Sequence, residues 1–220
     1  MKKQLTFLAL LLFISVNAQF YKAEILLANG ETRTGFSELP SNRLLDGSFN
    51  FKTDEKGRPE SLKFKDVSKV TVSTDNGNTF MFDNLAIRQV IKSFGKVREK
   101  TSKNKSWMLV RYATPEIAYY YAGQSYIIDK DGNMITKTTD NGGTWASIAL
   151  LLKRPGEEAA TSISAMTNGA TIIGEESLFR KTAAAYFTGE TKFIERIEKK
   201  EFKAEDLLPL VKAYIDYKKN

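Results

Sequence analysis

Between Phe20 and Lys153 the chain keeps alternating short runs of β-branched and aromatic residues with turn-forming pairs, and this punctuation constrains its fold most. Runs of about four to eight such residues bounded by Gly, Asn, Asp or Pro read as antiparallel strands joined by hairpins. Tyr21 to Ala28 and Glu31 to Phe36 flank Asn29-Gly30, a pair that accepts the positive φ angles of a type I′ turn. Further pairs are expected at Ser48–Lys52 with Ser61–Phe64, at Ser68–Ser73 with Thr79–Asp83, at Trp107–Tyr112 with Ile117–Ala122, and at Ser125–Ile128 with Met134–Thr138. Ala86 to Ser93 suits a helix face or a strand and is read as a strand.

After Pro155 the composition changes. Residues 156–174, rich in Ala, Ser and Thr, read as a linker or loose loop. Three helices are expected in a tail over 175–220. Ser177–Phe187 stops at Gly189, Lys192–Lys199 starts at Thr191 as cap, and Leu207–Lys218 is capped by Asp206. The expected class is α+β: an antiparallel, hairpin-rich domain over 19–155 and a short C-terminal helical region.

Lys2 and Lys3, an apolar run from Leu5 to Val16 and the small-residue ending Val16-Asn17-Ala18 read as a signal peptide over 1–18. The run is shorter than the roughly 20 apolar residues of a membrane-spanning helix, so no transmembrane segment is expected once it is cleaved. Export across the inner membrane follows, to the periplasm, the cell surface or the medium. Cleavage leaves 220 − 18 = 202 residues, and with two lysines lost the net charge of +7 becomes +5.

The chain has no cysteine and no histidine. That removes thiolate nucleophiles, imidazole bases and the usual ligands of zinc, haem and iron–sulfur clusters. No cofactor, metal site or catalytic residue is expected. Carboxylate chemistry of the glycosidase kind stays open, but nothing selects a pair, and Glu157-Glu158 and Glu175-Glu176 read as solvated surface. Lys96 to Lys105 holds Lys96, Arg98, Lys100, Lys103 and Lys105 against Glu99 alone, and reads as a solvated loop between strands. No aromatic-studded RNA-binding strand accompanies it, so nucleic acid is not an expected partner.

Ser73–Phe80 (STDNGNTF) and Thr138–Trp145 (TTDNGGTW) share a hydroxyl residue, aspartate, glycine, threonine and an aromatic at one spacing. Both resemble the Asp box of sialidase-like β-propellers, which implies a hairpin whose aspartate, here Asp75 or Asp140, accepts turn amides while the aromatic packs beneath. The likeness carries no catalytic residue. Asp129, Asp131, Gly132 and Asn133 have the alternation of a calcium loop, yet its twelfth position is Asp140, not glutamate, and a turn is the reading. The layout of Tyr21–Phe36 and of the tail Phe187–Tyr217 is similar to that of uncharacterised secreted β-rich proteins of Gram-negative bacteria, which implies architecture and location only.

The function expected is a non-enzymatic envelope or extracellular protein that binds another macromolecule, protein or glycan, by a sheet face or edge. Tyr119, Tyr121, Trp145, Lys100 and Lys103 are the candidate surface: Tyr119 to Tyr121 alternate across a strand, so at least one ring should lie outward. A carbohydrate-binding or carboxylate-based carbohydrate-active protein is the alternative.

Overall fold

A computed structural model describes residues 19–43, 46–93, 96–138, 147–167 and 174–219, with 91–93, 96–97 and 167 as backbone alone. The signal peptide, Asp140 and Trp145 lie outside them. The chain is α+β, rich in strands, with its helices at the C-terminal end.

Its organising feature is one long ribbon, β6 (Thr79–Ser93) with β7 (Lys96–Ala113). On one side of it stand β5 (Val67–Ser73), β1 (Tyr21–Leu27), β2 (Thr32–Ser37), β3 (Ser48–Lys52) and β4 (Glu60–Lys63) in that order. On the other stand β8 (Ala118–Ala122), β11 (Ser147–Lys153) and β12 (Ala159–Thr167). β12 then returns to β6 in parallel, Ala159–Ser162 against Ala86–Gln89, and closes β6, β7, β8, β11 and β12 into a five-stranded ring. β9 (Ser125–Ile128) and β10 (Met134–Lys137) form a separate hairpin.

Side chains alternate across a strand, so the ribbon feeds a different core with each face. Leu85, Ile87, Met108 and Val110 point into the ring, where Tyr120 and Leu151 share the space with Ala118, Ala122, Ala149 and Ala160. A ring of five strands has little room inside, and the alanines make it. Phe82, Trp107 and Leu109 point the other way, onto Ile25, Phe49, Phe51, Val70, Val72 and Tyr126. β2 and β3 approach closely there: a Cβ on Gly35 would sit 2.1 Å from the Lys52 carbonyl oxygen.

A third core covers the outside of the ring with α1 (Glu175–Tyr186), α2 (Thr191–Glu198) and α3 (Leu208–Lys219). Tyr119, Leu150, Leu152 and Ile163 meet Phe179, Phe187, Phe193, Ile197, Val211 and Tyr214. In α2 the one-turn spacing of Phe193 and Ile197 makes its buried face. At the start of α3 Asp206 accepts the Leu208 amide at 2.9 Å from one residue before the cap position, whereas α2 has no side-chain cap and Thr191 is already helical.

Further expectations need correction. Residues 156–174 are not a linker, because Ala159–Thr167 is β12, which closes the ring; short polar side chains are tolerated in a strand buried from both sides. Lys96–Lys105 is not a loop but the first half of β7, its backbone ordered by pairing with β6. At the first hairpin only Gly30 takes positive φ (+90°), so the turn is not type I′. The Gly30 amide bonds the Leu27 carbonyl, Leu27 and Glu31 close the loop, and the same pattern recurs at Thr74–Asn78 and Asp129–Asn133. Glu157 is not solvated surface, as described below.

Candidate functional site

β7 extends well beyond its neighbour. β8 pairs with it only over Leu109–Ala113, and before Leu109 β7 runs on without it. The side chain of Asn42 fills the fork: Oδ1 accepts the Trp107 amide at 2.7 Å, while Nδ2 donates to the Trp107 and Gly123 carbonyls at 2.9 and 2.8 Å. Below it opens a groove of about 580 Å³, with Phe64 in its wall, stacked edge-on against Trp107.

The groove gathers Arg43, Lys65, Lys103 and Lys105 around a single acid, Asp46. Asp46 is already engaged by Arg43 Nε at 3.1 Å. Asn104 and Ser106 add polar groups, and Asn84, also in the wall, is held by donating to the Phe64 and Val67 carbonyls at 2.7 and 3.0 Å. Arg98 and Lys100 continue the basic character along the same strand and are exposed. Among the described residues no carboxylate lies within ion-pair reach of Lys65, Arg98, Lys100, Lys103 or Lys105.

The sequence-based candidates divide accordingly. Lys103 lines the groove and Lys100 lies beyond it on the same strand. Tyr119 is 2% exposed and belongs to the helix-covered core, which overturns its expected surface role. Both faces of β8 are covered, one by helices and one by the ring interior, so alternation does not bring a ring outward. Tyr121 is half-buried where two cores meet, with the Arg111 guanidinium 4.9 Å over its ring. Burial raises the phenols of Tyr119, Tyr120, Tyr126 and Tyr186, so all four stay neutral at physiological pH.

A second groove, of about 610 Å³, lies across the start of β1. Phe20, Tyr21 and Phe36 line it with Lys22, Lys52 and Lys130, and the Lys52 ammonium sits 4.1 Å over the Phe20 ring. At its rim the Asp-box-like turn docks on the calcium-like one: Asn76 and Asn78 donate to the Asp131 and Gly132 carbonyls at 3.2 and 2.9 Å. In the first turn the Thr74 hydroxyl accepts the Asn78 amide, the part expected of Asp75, and Phe80 packs on the core. In the second, Asp129 accepts the Asp131 and Asn133 amides at 2.9 and 2.8 Å, and the Asn133 amide above all holds its pKa below the usual carboxylate value. Both motifs build turns. No cluster of three acids that could hold a metal occurs among the described residues.

One polar centre was not foreseen. Glu157 accepts from Arg88 (2.9 Å), Arg154 (3.2 Å), the Arg154 amide (2.8 Å) and the Tyr186 hydroxyl (2.8 Å), and Arg88 also donates to buried Thr161 at 2.8 Å. Burial pushes the Glu157 carboxyl upward, but these donors outweigh it and leave its pKa lowered. With its donors all supplied by the protein, this centre fastens α1 and the β11–β12 turn to β6. Comparison with protein-family models, with curated proteins and with solved structures finds no match to this chain.

Proposed function

We propose that this is an exported, non-enzymatic binding protein that holds an anionic part of another envelope or extracellular macromolecule in the groove beside β7. The observation that carries this reading is the charge of the groove: four cations around one acid that is itself paired. Such a surface attracts an anionic partner at long range, and exposed charges of this kind act mainly on the rate and specificity of encounter. The fixed backbone of β7 holds Lys103 and Lys105 in place, which lowers the ordering cost of binding.

Fluorescence anisotropy of labelled anionic oligomers tests it. Binding should weaken steeply from low to physiological salt, and the double charge reversal Lys103→Glu with Lys105→Glu should weaken it about tenfold or more. Salt-insensitive binding, or no effect of the reversal, would sink the assignment. The second groove supports a glycan-binding reading through its three aromatic side chains. A neutral glycan that raises the thermal midpoint of the parent protein, but not of a Tyr21→Ala variant, would establish that reading instead.

A further inference from the structure

We infer that the occupant of the basic groove is an extended acidic peptide segment of a partner protein, added as a strand to the open edge of β7. This rests on reading the groove as an anion-binding site and adds backbone pairing as the mode of recognition.

Asn42 carries the argument. Its carboxamide both accepts from the Trp107 amide and donates to the Trp107 carbonyl, the two bonds that an opposed residue of a neighbouring antiparallel strand would make. The edge at Trp107 is therefore in pairing geometry, and side chains rather than a strand satisfy it, Asn42 joined at the carbonyl by the Tyr126 hydroxyl at 2.7 Å. Successive residues turn their N–H and C=O to opposite edges, so Lys105 presents its pair on the same side as Trp107, along the groove. Asn104 agrees with this alternation: its carbonyl accepts from Ser102 Oγ at 2.7 Å, and Ser102 Oγ in turn accepts the Ile87 amide at 2.9 Å, on the β6 side. The pairing register with β6 shifts between Ala86 and Arg88, opposite residues 102–104, which limits the straight edge between the shift and the Asn42-held Trp107 to Lys105 and Ser106.

Charge selects the occupant. Lys103 and Lys105 on the edge, with Arg43 and Lys65 across the groove, repel a second copy of this basic edge and favour acidic side chains. An acidic strand satisfies the cations and the backbone edge together, whereas a sulfated or phosphorylated glycan satisfies the cations alone.

The test uses four probes: a labelled peptide of alternating Glu and Val, two versions of it N-methylated at every second residue in one phase or the other, and a sulfated oligosaccharide. The parent peptide should bind and slow hydrogen exchange at the Lys105 amide. One methylated phase should bind about tenfold or more weakly at unchanged charge, because it blocks the edge bonds, and the double charge reversal at Lys103 and Lys105 should weaken the parent peptide comparably. Equal binding of both methylated phases, or binding of the oligosaccharide alone, overturns strand addition and leaves the anion site standing. Binding of neither peptide nor oligosaccharide overturns the anion site as well. Both lysines are exposed, and an unchanged thermal midpoint verifies that the charge-reversed variant is folded.

Discussion

Glu157 and Glu158 are neighbours in sequence with opposite fates. Glu158 is exposed, while Glu157, its side chain 14% exposed, collects Arg88, Arg154 and Tyr186. Two of those partners are 69 and 29 residues away, so no local pattern could have told the two acids apart. Glu157→Gln should lower stability by about 3 kcal/mol, the low end for breaking a buried pair, because both arginines keep about a quarter of their surface in water. Its pH signature follows from the lowered pKa. The unfolded carboxyl binds its proton near pH 4.5 and the folded one only at lower pH, so the contribution is complete above pH 4.5 and lost as pH falls toward the folded value. Denaturant melts across pH should show a shallower acid limb in the variant. Tyr186 acts at the other end: its pKa is raised above 10, so its contribution is present below pH 10 and lost above it.

At the scale of elements, the hairpins were legible because three turns repeat one local device, a glycine in left-handed conformation closing a loop of fixed hydrogen bonds. The helices were legible through their apolar spacing. The ends of pairing were not. Nothing around Asn42 marks it as the residue that terminates the β7–β8 ladder, since its contacts are 65 and 81 residues away. Asn42→Ala would take the partner from the Trp107 amide and the Gly123 carbonyl, while the Trp107 carbonyl keeps the Tyr126 hydroxyl, and should cost about 2 kcal/mol. Exchange of the Trp107 amide should quicken in the same variant. A loss below about 1 kcal/mol, with Trp107 still protected, would mean that water or a shifted loop serves equally well.

The whole molecule is three cores joined through shared strands, so the division into a β domain and a tail is not a division in stability. Cutting the chain after residue 174 would uncover Ile117, Tyr119, Leu150, Leu152 and Ile163. Side chains of this size contribute about 1.5–3 kcal/mol each when buried, against a net stability of about 5–15 kcal/mol for a domain. The truncated chain should elute as aggregates and show no sharp thermal transition. A monomer melting cooperatively would instead make the helices a separable unit.

Local sequence did not determine β12 or the first half of β7. By itself it determined the short hairpin strands and the positions of their turns, the three helices, the α+β class and, through the missing cysteine and histidine, the chemistries that are closed to the chain. These are properties of short segments, set by propensity, period and composition. Tertiary structure alone decided that β12 closes the ring in parallel on β6, that three consecutive tyrosines are buried or half-buried while the lysines of β7 border a groove, and that Glu157 rather than Glu158 is the pivot of a part-buried ion cluster. Burial and pairing between distant segments depend on which faces meet, and a strand's own pattern cannot say whether its second face will be covered.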